Sequence, residues 1–303
     1  MGNAQFPARA PRLLKVASVH KVSSLTMDAT TTHEILLVPQ QFPTVQAAVD
    51  AARGPTTIVV APHLYAETVR VIDKPYVVIQ SSQLSRRGVT ISGQGGSTVL
   101  CVERSTLHLS GIEIRSNARS RGIFVANSSI SLQECVVAGN RARDGADELF
   151  GAGMLCRDSK VRIQKSTITG NVVNHCGAAA AIAGGGGLFL QDCQAEIAGG
   201  TIQANAVYAT TRASGGGIWC ERSTLRMWRS RVTDNALHAL SSEGAGIYIK
   251  APLGCQLGGS VITGNGGPQV RGGGIFVEGD SARVAVHRNT VVRQNHPTDI
   301  DFG

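Results

Sequence analysis

The stretch Gly215–Asn235, GGGIWCERSTLRMWRSRVTDN, divides into three short strand-like runs separated by turns. GGGIWC is the first, TLRM the second and RVTDN the third, with ERS and WRS between them. Side chains of a strand alternate between its two faces. That places Ile218, Cys220, Leu225, Met227 and Val232 on one side, and all five are apolar. The same slots one region earlier hold Met154, Cys156, Val161, Ile163 and Ile168. A one-residue slip would put each of these sets into water, so the register is fixed.

The unit recurs along the chain. Asn117, Asn140, Asn171, Asn205, Asn235, Asn265 and Asn295 each close a third run, at gaps of 23, 31, 34, 30, 30 and 30 residues. A glycine strand follows each of the first six, opening at Gly122, Gly153, Gly187, Gly217, Gly246 and Gly274. A period of this size marks a repeat architecture in which each unit buries its apolar face on its neighbours. The expected fold is all-β: a right-handed parallel β-helix of about eight coils, as one domain over residues 34–303. The asparagines are expected to stack as an amide ladder on one edge.

Residues 1–33 carry five basic residues before Met27 and no apolar run long enough for a secretory core. They are expected to form a disordered or leader-like extension. After them, ILLVPQQFPTVQAAVDAA gives a strand, a proline turn and a helix with Thr44 as N-cap. Val45, Ala48, Val49 and Ala52 form its apolar stripe, which suits a lid on the first coil.

The entry FPTVQAAVDAA…TTIVVAPHLYAETVRV, with the later glycine-strand repeats, resembles the pectin-lyase-like superfamily of right-handed parallel β-helices. It is similar to the opening cap and first rungs of pectin methylesterases, and the resemblance covers roughly Ile35 to Asn295. The catalytic strand of those esterases, the aspartate set of polygalacturonases and the calcium site of pectate lyases are not found. The resemblance implies a carbohydrate-directed protein, with lyase or epimerase chemistry as the associated activity. It is specific for fold and weak for activity.

The net charge of +8 comes from scattered arginines with no run of five like charges, so a nucleic-acid stripe is not expected. An anionic polysaccharide or small molecule fits that balance. The seven cysteines show no CxxC or zinc spacing, and Cys156 and Cys220 occupy slots otherwise held by valine, leucine and isoleucine. They read as buried, reduced thiols. No apolar run is long enough to span a bilayer, and a cytoplasmic protein without cofactor or metal is expected.

Inverting the alternation of the glycine strand gives an outward column: Cys101, Phe124, Leu155, Phe189, Trp219, Tyr248 and Phe276. Coils sit about 4.8 Å apart, so these side chains stack as a ladder. Either the variable loops cover it, or it is the aromatic floor of a groove for sugar rings or another flat ligand. On the groove reading, Phe124, Phe189, Trp219, Tyr248 and Phe276 bind substrate, and the adjoining glycines leave room for it. The longest loops belong to the second, third and fourth repeats, where Tyr208 and Arg212 can overhang the ligand.

The next outward position reads Glu103, Ala126, Arg157, Gln191, Glu221, Lys250 and Glu278. Arg157, Glu221 and Lys250 are the candidates for proton abstraction, a positive group stabilising the developing charge while a carboxylate or lysine moves the proton. His175 and His238 are loop candidates for carrying it. Asp144, Asp147 and Glu148 could bind calcium but lack the spacing of a known oxygen-ligand loop, and Glu243 is a further loop group able to complete the site. A small-molecule cyclase or isomerase using the same groove, and a non-catalytic β-helix, are the alternative readings.

Overall fold

The computed structural model describes residues 33–83, 88–96, 98–116, 120–142, 148–175 and 182–303. Residues 1–32, Asn117, Asp144 and Asp147 lie outside the described residues, as does the side chain of Glu148. Among the described residues no helix is long and apolar enough to cross a membrane. Thr32–Gly303 form one compact unit.

Three parallel sheets run the length of a right-handed solenoid. Sheet I has ten strands, from Glu34–Val38 to Val284–Val286. Sheet II has nine and contains the glycine strands; sheet III has nine and ends each coil at the asparagines. These numbers differ slightly from the expected eight coils. Coil-to-coil register is regular: Ile218 pairs with Ile247, Leu225 with Cys255 and Val232 with Ile262. The inward slots of the middle coils are buried, with Ile218, Cys220, Leu225, Met227, Val232 and Ile247 all 0% exposed, and the last coil opens to solvent at Val286.

Corners are tight because single residues adopt left-handed φ. At the corner from sheet II to sheet I these are Asp73, Arg104, Asn127, Asp158, Asp192, Arg222 and Ala251, with φ between 43° and 55°. Short polar side chains tolerate that region best, which explains the Asp and Asn in the column.

The asparagine ladder forms as expected from Asn140 to Asn295. The Asn205 amide nitrogen donates to Asn235 Oδ1 at 3.0 Å and to the Ile168 carbonyl at 3.1 Å, while its backbone N–H donates to the same Oδ1 at 3.1 Å. Asp299, unnoticed in the sequence, ends the series. Its Oδ1 accepts from both the backbone and the amide nitrogens of Asn295 at 3.0 Å.

At the opposite end the helix Val45–Ala51 buries Val45, Ala48 and Val49 against the first coil. Thr44 Oγ1 accepts from the Ala47 N–H at 3.0 Å. Glu67 adds a carboxylate that accepts from the Val45 and Gln46 N–H groups, each at 2.9 Å. An anion there matches the positive end of the helix.

From Asn140 to Gly274 the segments between an asparagine and the next glycine strand contribute strands to two further parallel sheets. Sheet IV has four strands, Arg141–Ala142, Val172–His175, Ala206–Ala209 and Ala236–His238. Sheet V has five, Glu148–Phe150, Ile182–Gly184, Arg212–Ser214, Ser241–Glu243 and Val270–Arg271. Together they make an arm with its own thin core of Val173, Val207, Leu237, Ala183, Ala213 and Val270.

Candidate functional site

The outward column of sheet II is in register as expected: Phe124 with Leu155, Leu155 with Phe189, Phe189 with Trp219, Trp219 with Tyr248, and Tyr248 with Phe276. It is not the floor of an open groove. Phe189 and Tyr248 are 0% exposed, Phe276 2% and Trp219 3%, with Phe124 half-buried at the margin. Sheet V lies over them. Phe150 of that sheet stacks on Phe189 at 4.5 Å and meets Trp219 edge-on at 5.1 Å. The apolar outward positions are therefore the second face of a second core.

Gly184 shows how closely the arm fits. A Cβ there would stand 2.1 Å from Trp219 Cε3 and 2.7 Å from the Ser214 carbonyl oxygen. Gly184→Ala is expected to destabilise by about 1–3 kcal/mol through overpacking, seen as a lowered midpoint in thermal unfolding. An unchanged midpoint would mean that the arm does not press on Trp219.

The glycines opening each glycine strand also have a different role from the one expected. A Cβ at Gly217 would lie 2.6 Å from the Gly246 carbonyl oxygen and 2.9 Å from Asn235 Nδ2. The space serves the next coil and the amide ladder, not a ligand.

The second outward column keeps its order, with Arg157, Gln191, Glu221, Lys250 and Glu278 on successive strands. Its members are engaged differently from the expected base-and-cation set. Trp219 Nε1 donates to Glu221 Oε2 at 3.3 Å, and Arg222 pairs with Glu221 Oε1 at 2.5 Å. Arg222 also grips Asp192 through two contacts of 3.0 and 2.8 Å. Arg157 is exposed.

Arg212 reaches from the arm to sheet II and closes the seam. Its guanidinium donates to Glu243 at 2.9 Å, to the Tyr248 hydroxyl at 3.0 Å and to Glu278 at 3.0 Å. Tyr248 donates to Glu278 as well. Burial pushes the Glu278 carboxyl up, but bonds from Tyr248 and Arg212, with the charges of Arg212 and Lys250, hold it below the usual range. Burial and the bond to Glu278 push the Tyr248 phenol well above its ordinary value. A stabilised carboxylate and a stabilised phenol are poor proton movers; this cluster fastens the arm.

The remaining candidates stand on sheet IV. Tyr208 and His238 stack on each other at 4.6 Å with planes 4° apart, and Tyr208 is 37% exposed. His175 is buried, and its Nε2 has no hydrogen-bond partner among the described residues. The structure thus brings Arg212 and Tyr248 together, but places His175, His238 and Tyr208 on a different sheet from Glu221.

An open concavity instead lies on the outer face of sheet I. A trough of about 690 Å³ is lined by His108, Ser131, Lys160, Arg162, Glu196 and Arg226, among others. It meets a second hollow of about 590 Å³ at the sheet II–sheet I corner, with Lys160 and Gln194 in both. Register produces the central row: His108, Ser131, Arg162, Glu196, Arg226 and Gln256 face outward on consecutive strands. Arg162 is oriented by Glu196, to which it donates at 2.9 and 3.2 Å. Tyr76 packs on His108 with centroids 5.2 Å apart. Burial, then the charge of Arg162, holds the His108 imidazole pKa below its ordinary value. In sequence this row reads as ordinary outward alternation, and only concavity sets it apart.

The model of the right handed beta helix region matches residues 97–291, more than half of the chain. The chain belongs to the right-handed β-helix family. None of the curated proteins matches this β-helix protein. Among solved structures it is similar to the deglycosylated pectin methylesterase of Aspergillus niger, at 13% identity and a TM-score of 0.38, covering 91% of this chain and 89% of that one. The carrot pectin methylesterase gives 10% identity and a TM-score of 0.38, with coverage of 93% and 90%.

Proposed function

We propose that this β-helix protein is carbohydrate-directed and holds an extended acidic sugar chain in the trough on sheet I. One observation carries the reading: the outer face of sheet I brings Arg162, Arg226 and Lys160 into one open concavity, where Glu196 is the carboxylate that pairs with Arg162. Guanidinium groups bind carboxylates through paired, charge-assisted hydrogen bonds. The scattered net charge of +8 favours approach of a polyanion. The trough runs along the solenoid axis, so a linear chain can lie across several coils.

The groove-based lyase or epimerase reading has lost its support, because Glu221 is held by Trp219 and Arg222 and the aromatic floor is enclosed. The cyclase or isomerase reading drew on that same floor. A non-catalytic role is the outcome if the protein binds a sugar chain and leaves it intact.

The test is calorimetric titration with an oligogalacturonate and with a neutral oligosaccharide of equal length. Binding of the acidic chain should weaken with added salt, since exposed charges are screened within about 8 Å at physiological ionic strength. Arg162→Glu is expected to lower affinity roughly tenfold. Equal binding of both chains, or none at low salt, would remove the proposal.

A further inference from the structure

Serines at the coil corners have their hydroxyls engaged. Ser105, Ser128, Ser159 and Ser223 each donate to a carbonyl two residues back, at 2.5–2.8 Å. Ser131 differs. It lies mid-strand in sheet I, facing the trough, and its hydroxyl has no hydrogen-bond partner among the described residues. On one neighbouring strand it is level with His108 and on the other with Arg162. Strands are about 4.8 Å apart, so the Ser131 hydroxyl stands on the strand between those bearing the imidazole and the guanidinium, at the same level as both.

A hydroxyl between an imidazole and a guanidinium has the parts that acyl transfer needs: nucleophile, base and a positive group for the developing oxyanion. The parts are also held differently. Tyr76 packs against the imidazole and Glu196 orients Arg162, leaving Ser131 as the unengaged member. Catalytic hydrogen bonds are often long or unmade before substrate arrives.

We propose that Ser131, His108 and Arg162 form an acyl-transfer site that removes O-acyl groups from a carbohydrate lying in the trough. The sugar part of this assignment rests on the carbohydrate reading above; the ester chemistry rests on the row itself. Ser131 Oγ adds to the ester carbonyl carbon while His108 takes the hydroxyl proton. The oxyanion forms beside Arg162. The carbon–oxygen bond to the sugar then breaks, and His108 returns the proton to the departing sugar hydroxyl, leaving an acyl group on Ser131. Water attacks this ester with His108 again as base, releasing the carboxylic acid and regenerating the serine. The lowered imidazole pKa is in keeping with this role, since it favours the unprotonated ring that can accept a proton.

The full chain is treated with 4-nitrophenyl acetate, quenched in acid and mapped by peptide mass spectrometry. An acetyl group is expected on the Ser131 peptide, with nitrophenol release saturating in ester. Ser131→Ala and His108→Gln should each lower kcat/KM at least a hundredfold while circular dichroism stays that of the parent. Tyr76 packs on the imidazole, His33 packs on Tyr76, Arg162 acts on it by charge, and Lys160 and Glu196 are the other charged groups near it in the trough lining. The rate should therefore rise with pH through a value below the ordinary imidazole one. Acetylation confined to lysines, or a Ser131→Ala rate equal to the parent, would overturn the proposal. Oligogalacturonate titration of the same preparation separates the two ideas. Binding without Ser131 acetylation removes only the acyl-transfer site, and acetylation without binding removes only the sugar-chain reading.

Discussion

Trp219→Ala is expected to lower folding stability by about 3–5 kcal/mol, the range for deleting a buried aromatic side chain. Trp219 is 3% exposed and fills the space between sheet II and the arm. Its ring meets Tyr248 at 4.6 Å, Phe150 at 5.1 Å and Phe189 at 5.7 Å. Truncation leaves a cavity that neighbouring strands, paired above and below, cannot collapse to fill. It also removes the indole donor to Glu221, leaving that carboxylate to Arg222 alone. Denaturant titration measures the loss. A ligand platform would behave in the opposite way, with nearly unchanged stability and weakened binding, and that outcome would reinstate the open groove.

Asn205→Ala comes next in expected effect. The Asn205 Oδ1 accepts from the Asn171 backbone N–H at 3.0 Å and from its amide at 2.9 Å. Its own amide satisfies the Ile168 carbonyl. All three partners are buried, and a buried group left without a partner costs about 1–3 kcal/mol. The total should therefore exceed that of a single lost hydrogen bond. Asn205→Asp keeps the acceptor and loses the donor, so it separates the two contributions in thermal melts. Full stability in the alanine variant would show that water replaces the amide.

The double period and the inward slots were legible because every inward position is apolar and every third run ends in asparagine. Both patterns survive without an alignment. The arm was not legible for a physical reason. Its core is only one or two small side chains thick, and Ala142, Ala183, Ala209, Ala213 and Ala245 give little contrast with loop composition. The strand Ile182–Gly184 is itself rich in small residues and does not stand out from the sequence around it. The aromatic column was read correctly as a ladder, yet alternation alone gives a side of the sheet and not what covers it. The discriminating residue was Gly184, whose missing side chain makes room for an indole that the sequence places 35 residues later. The trough on sheet I was missed because His108, Ser131 and Arg162 look like any solvated strand face.

The in-register arm sheets also govern how the chain can change length. The coils that carry the arm trace five sides, and the strands of each side pair with those of the same side on adjoining coils. Adding or removing two residues in one segment would therefore misalign pairings on both neighbours. Excising Ala206–Asn235 as a block is different: it joins Asn205 to Ala236, and each strand facing the cut meets another of its own kind. A whole coil is therefore a unit that can be lost without changing which strands pair, while the unequal gaps of 31, 34 and 30 residues show that length can also vary between the paired strands.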